Sequence, residues 1–235
     1  MYTQPVVANP KQMVVIEDRV MVPRAALQHD GYRDWVKSLE GDDHVPRLRT
    51  TFICGQVLVE MTPESIDRHN QVRAALGADL GTFVRAGDLG EIYPDRALVT
   101  NTAAGLSCEP DLTFISWQSI EEGCVQFVKR KDGTDDIEIL GSPDLVVEVI
   151  SDSSVRKDTH LLRKAYFRAG IREYWLIDAR GDEIRFEILS PNVGGFAASA
   201  DANAPQPSQV FGGFWSLTRS LNRVGRFSYR LDRTA

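Results

Sequence analysis

Cysteine is scarce in this chain. Cys54, Cys108 and Cys124 are the only three, lying far apart and in no C-x-x-C spacing, which fits free buried thiols in a reducing compartment better than a disulfide framework or a zinc site. No apolar run approaches the roughly 18 residues needed to span a bilayer, and Met1 to Pro10 has neither the basic stretch nor the apolar core of a secretory leader. A cytoplasmic protein without membrane association is therefore expected. Positive charge is not in surplus either: 27 Lys and Arg face 33 Asp and Glu, a formal net charge of −6, so any contact with nucleic acid must come from a local patch. Also missing are the Walker-type phosphate loop, G-x-G-x-x-G, G-x-S-x-G and H-E-x-x-H, and His29, His44 and His160 have no metal-ligand spacing. Nucleotide-cofactor and serine-hydrolase chemistry lose their usual carriers.

What remains is ordinary globular composition over 235 residues, 43% hydrophobic and 26% charged, enough for one compact unit with a full core. Residues 1–47 read as an N-terminal arm with short elements packing on the core, and 48–235 as the main domain. Arg49 to Ile53 and Gln56 to Met61 flank Gly55 as a tight strand pair. Thr62 and Pro63 mark a helix start, and Val72, Leu76, Leu80 and Phe83 recur at helical spacing behind them. Pro110 to Ile115 is a strand, Gln126 to Val128 and Ile137 to Leu140 bracket an Asp132-Gly133 turn, and Glu173 to Asp178 turns at Gly181 into Glu183 to Leu189. Lys157 to Ala169 reads as a helix with Asp158, Leu161, Leu162, Ala165 and Ala169 on one stripe, ended by Gly170. Ser190 to Gln209, rich in Ala, Pro, Gly and Asn, reads as a surface loop, and Gly225 to Leu231 as a closing strand. Strand, helix and strand over 144–178 form a βαβ unit with a right-handed crossover.

The chemistry concentrates in Asp144-Leu145-Val146-Val147-Glu148-Val149-Ile150. In a strand, Asp144, Val146, Glu148 and Ile150 share one face. Burying unpaired carboxylates is costly, so two acids on one side of an apolar strand point to a cation, a proton or solvent at a cleft, and a divalent metal would meet that need. Asp111 lies in a second Pro-Asp strand, and Asp111, Asp144, Glu148 and Lys164 could together serve phosphodiester hydrolysis, which needs acids to hold metal and an amine to steady charge.

Pro110-Asp111, then Pro143-Asp144 through Glu148 to Ser151, then Asp158, Lys164, Tyr166, Gly170 and Glu173-Tyr174-Trp175-Leu176-Ile177-Asp178, together resemble the Uma-type family of restriction endonucleases, a branch of the PD-(D/E)XK nuclease superfamily. The likeness runs from about Leu48 to Leu189 and takes in Glu60 and, as a weaker candidate, His69. It implies an α/β (α+β) fold of restriction-endonuclease type, with a central mixed β-sheet flanked by helices. It further implies a Mg²⁺-dependent endonuclease, with Mn²⁺ as substitute, acting on DNA, with RNA as the other nucleic acid to test, as a homodimer. Asp111 and Glu148 would be metal ligands with Asp144 and Glu60 assisting. The chain departs from the superfamily at Ile150, where the strand lysine should stand; Lys164 on the next helix is the expected replacement, and Lys157 a phosphate contact. That departure, with the acidic net charge, keeps a rival open: a catalytically degenerate nuclease scaffold that binds nucleic acid or protein.

Overall fold

The computed structural model describes residues 15–16, 19–20, 22–39, 49–60 and 64–235. Thr62, Pro63, His44 and most of the expected N-terminal arm lie outside them. Strands β1 (Val15–Ile16) and β2 (Arg19–Val20) pair with each other, and α1 (His29–Ser38) follows, burying Tyr32 and Trp35. The expected strand pair is present as β3 (Arg49–Ile53) and β4 (Gln56–Glu60), joined through Gly55 at φ +82°. Helix α2 opens with a π-turn, Ile66–Asn70, and continues as Gln71–Ala86. Its N-cap is Ser65, whose hydroxyl accepts from the Arg68 amide, the kind of oxygen a free helix N-terminus requires.

The remaining elements build three sheets. They are β5 (Gly90–Pro94), β6 (Val99–Asn101), β7 (Leu106–Cys108), β8 (Leu112–Ser116), the short α3 (Trp117–Glu121), β9 (Val125–Lys129), β10 (Asp136–Gly141) and β11 (Leu145–Val149). Helix α4, a π-turn over Lys157–Leu162 running into Arg163–Arg168, leads to β12 (Glu173–Asp178), β13 (Arg185–Asn192), β14 (Gly195–Ala198), β15 (Gln206–Pro207), β16 (Phe214–Leu221) and β17 (Phe227–Thr234). One six-stranded sheet runs β4-β3-β7-β6-β10-β9, a second β14-β13-β12-β11-β8-β5, and the last three strands form a small third sheet. Both large sheets are mixed: β6–β10 and β11–β12 are parallel, their other pairings antiparallel. The mixed sheets with flanking helices are as expected, and so is β11-α4-β12 as a parallel crossover unit.

Strand alternation sorts β11 between two cores. Leu145, Val147 and Val149 pack with the α2 residues Val72, Leu76 and Leu80 and with Trp175, Phe211 and Trp215. Val146 and Ile150 turn the other way, against Leu162, Ala165 and Tyr166 of α4. Each such buried aliphatic side chain contributes about 1.5–3 kcal/mol, so a shift of one residue in β11 would exchange both faces and carry Glu148 into the α2 core. Ser190 to Gln209 is not the simple loop its composition suggests. It completes β13 and contains β14 and β15, because Phe196 packs between Phe167 and Tyr174 and holds β14 on the sheet. Strands β5, β7 and β16 and helix α3 are likewise present without having been expected, and of the three free thiols, expected to be buried, Cys108 is while Cys54 and Cys124, at turns, are exposed.

Candidate active site

Asp111 stands just before β8, where its amide donates to the Val147 carbonyl at 3.1 Å and its Oδ2 accepts from the Val149 amide at 2.7 Å. Two adjacent strands thus hold Asp111 beside Glu148, and both are buried. Tyr166 of α4 donates to Glu148 Oε1 at 2.6 Å. Burial pushes the Glu148 carboxyl well above the usual range; the charge of Lys157 opposes this most, while Asp111 and Asp158 push it further.

Lys157 and Asp158 come from the π-turn that opens α4. Lys157 Nζ donates to Glu60 Oε2 at 2.9 Å and lies 3.5 Å from Asp158 Oδ1. Burial alone would lower its pKa, but Glu148, Asp158 and Glu60 hold the ammonium charged, with its pKa above the normal value. Asp158 also accepts from the Ser154 hydroxyl, and burial lifts it to about 6 against the pull of Lys157.

On the other side of Asp111 is a second ionic layer. Arg49 of β3 donates to Asp111 Oδ1 at 2.8 Å, to Asp95 at 2.9 Å and to Glu64 at 3.0 Å. Arg73 of α2 reaches Glu64 at 2.8 Å and Asp111 at 3.6 Å and pairs with Asp95. His69, on the π-turn of α2, is 3% exposed, with Nε2 3.6 Å from Asp111 and Nδ1 3.2 Å from Glu64. That approach of His69, aided by Arg49 and Arg73 and opposed by burial, keeps Glu64 down at about 2. Burial works to lower the His69 pKa, yet Glu64 and Asp111 outweigh it and raise it.

The cluster therefore sets six carboxylates, Glu60, Glu64, Asp95, Asp111, Glu148 and Asp158, against Arg49, Arg73, Lys157 and one histidine. Negative charge stays in excess even with His69 protonated. Ligand atoms of Glu64, His69 and Asp111 lie within 4.8 Å of one another, and two buried atoms, His69 Nδ1 and Asp158 Oδ1, find no hydrogen-bond partner among the described residues. Carboxylate oxygens with one imidazole suit Mg²⁺ or Mn²⁺, the imidazole favouring manganese. The residues fit a divalent cation.

Of the residues singled out in the sequence, Asp111, Glu148, Glu60 and the weaker candidate His69 come together here. Asp144 does not. It lies four residues before Glu148, roughly 13 Å along the strand, and its carboxylate accepts from the Ser116 amide at 2.8 Å, the Ser119 hydroxyl at 2.9 Å and Arg172 at 2.8 Å. Lys164 is exposed on the outer side of α4, beside Arg163 and Phe167, and Lys157 is the amine that faces the acids. Sequence reasoning passed over Arg49, Glu64, Arg73, Asp95 and the placing of Asp158 among the acids. A signal existed only for the last, since Asp158 fell on the buried stripe of α4 and an acid there requires a partner.

A sequence profile of the Uma2 family, described as "Putative restriction endonuclease", matches residues 38–221. A search of curated proteins returned no match. Among solved structures, a "putative nuclease belonging to DUF820" from Anabaena variabilis ATCC 29413 superposes with a TM-score of 0.52 at 15% identity, covering 69% of this chain and 83% of that one. At that identity the likeness is one of fold.

Proposed function

Because the chain belongs to the Uma2 family of restriction-endonuclease-like proteins, we propose that it is a divalent-metal-dependent endonuclease that hydrolyses DNA phosphodiester bonds at the cluster around Asp111 and Glu148. The observation that carries this reading is the meeting of two buried acids from adjacent strands with a buried lysine from the crossover helix, in a cluster whose carboxylates outnumber its cations.

Asp111 and Glu148, with Glu64 and His69 beside them, would hold Mg²⁺ or Mn²⁺. When bound, the cation supplies an acidified water and polarises the phosphate. Burial favours the protonated form of Glu148, and a cation held there would favour the ionised form, so its binding would be linked to proton release. Tyr166 fixes Glu148 through its hydroxyl and leaves the second oxygen for the ligand role. Lys157 remains charged at neutral pH, so it steadies the anionic phosphorane-like transition state and orients water rather than removing a proton. Glu60 aims that amine. In this assignment Lys157 takes the part expected of Lys164, and Asp144 ties β11 to the start of α3. A two-fold homodimer would suit cutting both strands of duplex DNA.

One observation favours a second reading, a scaffold that binds without cutting: Arg49 and Arg73 already neutralise Glu64, Asp95 and Asp111. Calorimetric titration with Mn²⁺ and Mg²⁺, run beside a plasmid-cleavage assay on native protein and Glu148→Gln, separates the two. The nuclease predicts binding and cleavage in the native protein, with cleavage falling about 10²-fold or more in the variant. Absence of cation binding in the native protein would establish the non-catalytic scaffold.

A further inference from the structure

Helix α4 presents two different faces. Inward go Lys157, Asp158, Leu162, Ala165 and Tyr166. Outward go Arg156, His160, Lys164 and Arg168, all exposed and each four residues from the last. Between Arg156 and Arg172 the one acidic residue is Asp158, and it is buried. A helix whose outer side carries no exposed acid stands out on a chain whose formal charge is −6, and the acid that precedes it in the same register, exposed Asp152, is paired with Arg180. Arg156 and Lys164 have no ion-pair partner among the described residues, and Arg168 donates to Cys54 Sγ at 3.2 Å. Beside the stripe is a groove of about 550 Å³ bordered by Arg163, Phe167 and Phe196.

We propose that this outer face of α4 is a phosphate track that seats the backbone of duplex DNA and leads it to the Lys157–Glu148 cluster. The spacing matches such a backbone, since four helical residues rise about 6 Å, so that Arg156 to Arg168 spans about 18 Å, or roughly five base-pair steps at 3.4 Å each. The stripe also begins at the residue preceding Lys157, so its first cation is the chain neighbour of the amine in the acid cluster. Charge complementarity selects a polyanion, and its regular spacing favours a nucleic acid backbone over a dispersed anionic surface. The proposal rests on the nuclease reading for the identity of that polyanion.

The test measures anisotropy of a fluorescein-labelled twenty-base-pair duplex in EDTA, where no cleavage occurs, over a series of NaCl concentrations. It compares native protein, the triple variant Arg156→Gln/Lys164→Gln/Arg168→Gln and a control, Lys129→Gln/Arg130→Gln/Lys131→Gln, at the distant β9–β10 turn. Each phosphate contact contributes about 0.9 to the slope of log affinity against log salt, so the stripe variant should lose about 3 from that slope and at least tenfold in affinity at low salt, with its melting temperature unchanged. The control should keep the native slope. An unchanged slope in the stripe variant, an equal fall in the control, or absence of duplex binding by the native protein would overturn the proposal. So would binding to vesicles of equimolar phosphatidylserine and phosphatidylcholine with none to duplex. Cleavage read in parallel keeps the two claims apart. Cleavage that depends on Glu148 with an insensitive slope leaves the nuclease and removes the track, whereas a sensitive slope without cleavage leaves the track and removes the chemistry.

Discussion

Exchanging each of two lysines for methionine, which keeps the aliphatic stem and deletes the charge, tests the placement of the catalytic amine. Lys157 is buried against Glu60 and Asp158 and is the strongest charge opposing the elevation of Glu148. Removing one member of such a buried network strands the others and costs about 3–5 kcal/mol. Lys164 is exposed and without an ion-pair partner among the described residues, so its loss should change stability by no more than about 0.5 kcal/mol. Urea unfolding followed by fluorescence of the buried Trp175 reads both. The loss in Lys157→Met should also depend on pH. Without the amine, Asp158, already near 6, and Glu148 take up protons in the folded state more readily than when unfolded, so that variant loses stability as pH rises. Its deficit should be larger at pH 8 than at pH 5, and Asp158→Asn in the same chain should recover part of it. Cleavage by the folded fraction should fall about 10²–10³-fold in Lys157→Met and less than tenfold in Lys164→Met, where only duplex binding suffers. A Lys157→Met protein with native stability, paired with a Lys164→Met protein that is stable and inactive, would refute the assignment.

Asp144→Asn should cost about 2–3 kcal/mol, because an amide cannot satisfy the Ser116 amide, Ser119 and Arg172 together, while plasmid cleavage per folded molecule stays native. Glu138, held at about 2 by Arg33 and Lys37 despite burial, stabilises the protein above its unfolded pKa and loses that contribution as pH falls from about 4.5 towards 2. Glu138→Gln should therefore cost about 1–2 kcal/mol at pH 7 after allowance for solvent screening, a difference from native that shrinks steadily in urea titrations at lower pH. Gly90, at φ +154° in the β5–β8 pairing, leaves no room for a side chain, since a Cβ would meet the Ile115 carbonyl oxygen at 2.1 Å. Gly90→Ala should lower stability by at least about 2 kcal/mol, measurable by thermal unfolding.

The legible parts of this molecule are those governed by local periodicity. Alternation placed Val146, Glu148 and Ile150 on one face of β11 and Leu145, Val147 and Val149 on the other, which is how they divide between the two cores. The helical stripe ending at Gly170, with its φ of +74°, was legible for the same reason. Beyond that range the signal fails. Arg49 meets Asp95 and Asp111 from 46 and 62 residues away, and no spacing along the chain marks such partners. Lys164 shows a subtler failure. A period of 3.6 puts it near the buried edge of α4, but the π-turn over Lys157–Leu162 holds more residues per turn than an α-helix. Averaged with the α-helical half, the pattern repeats every four residues: 157, 161, 165 and 169 turn inward to differing depth, and 156, 160, 164 and 168 stay outside. One change of winding thus decides two things at once, bringing Lys157 into the acid cluster and aligning Arg156, Lys164 and Arg168 along the solvent face. Both helices that contribute to the cluster begin with a π-turn, and His69, Lys157 and Asp158 all come from those turns. Acids on strands can be read from sequence because the strand period is rigid, whereas the cations that determine whether those acids hold metal are set by helix winding and by contacts far along the chain.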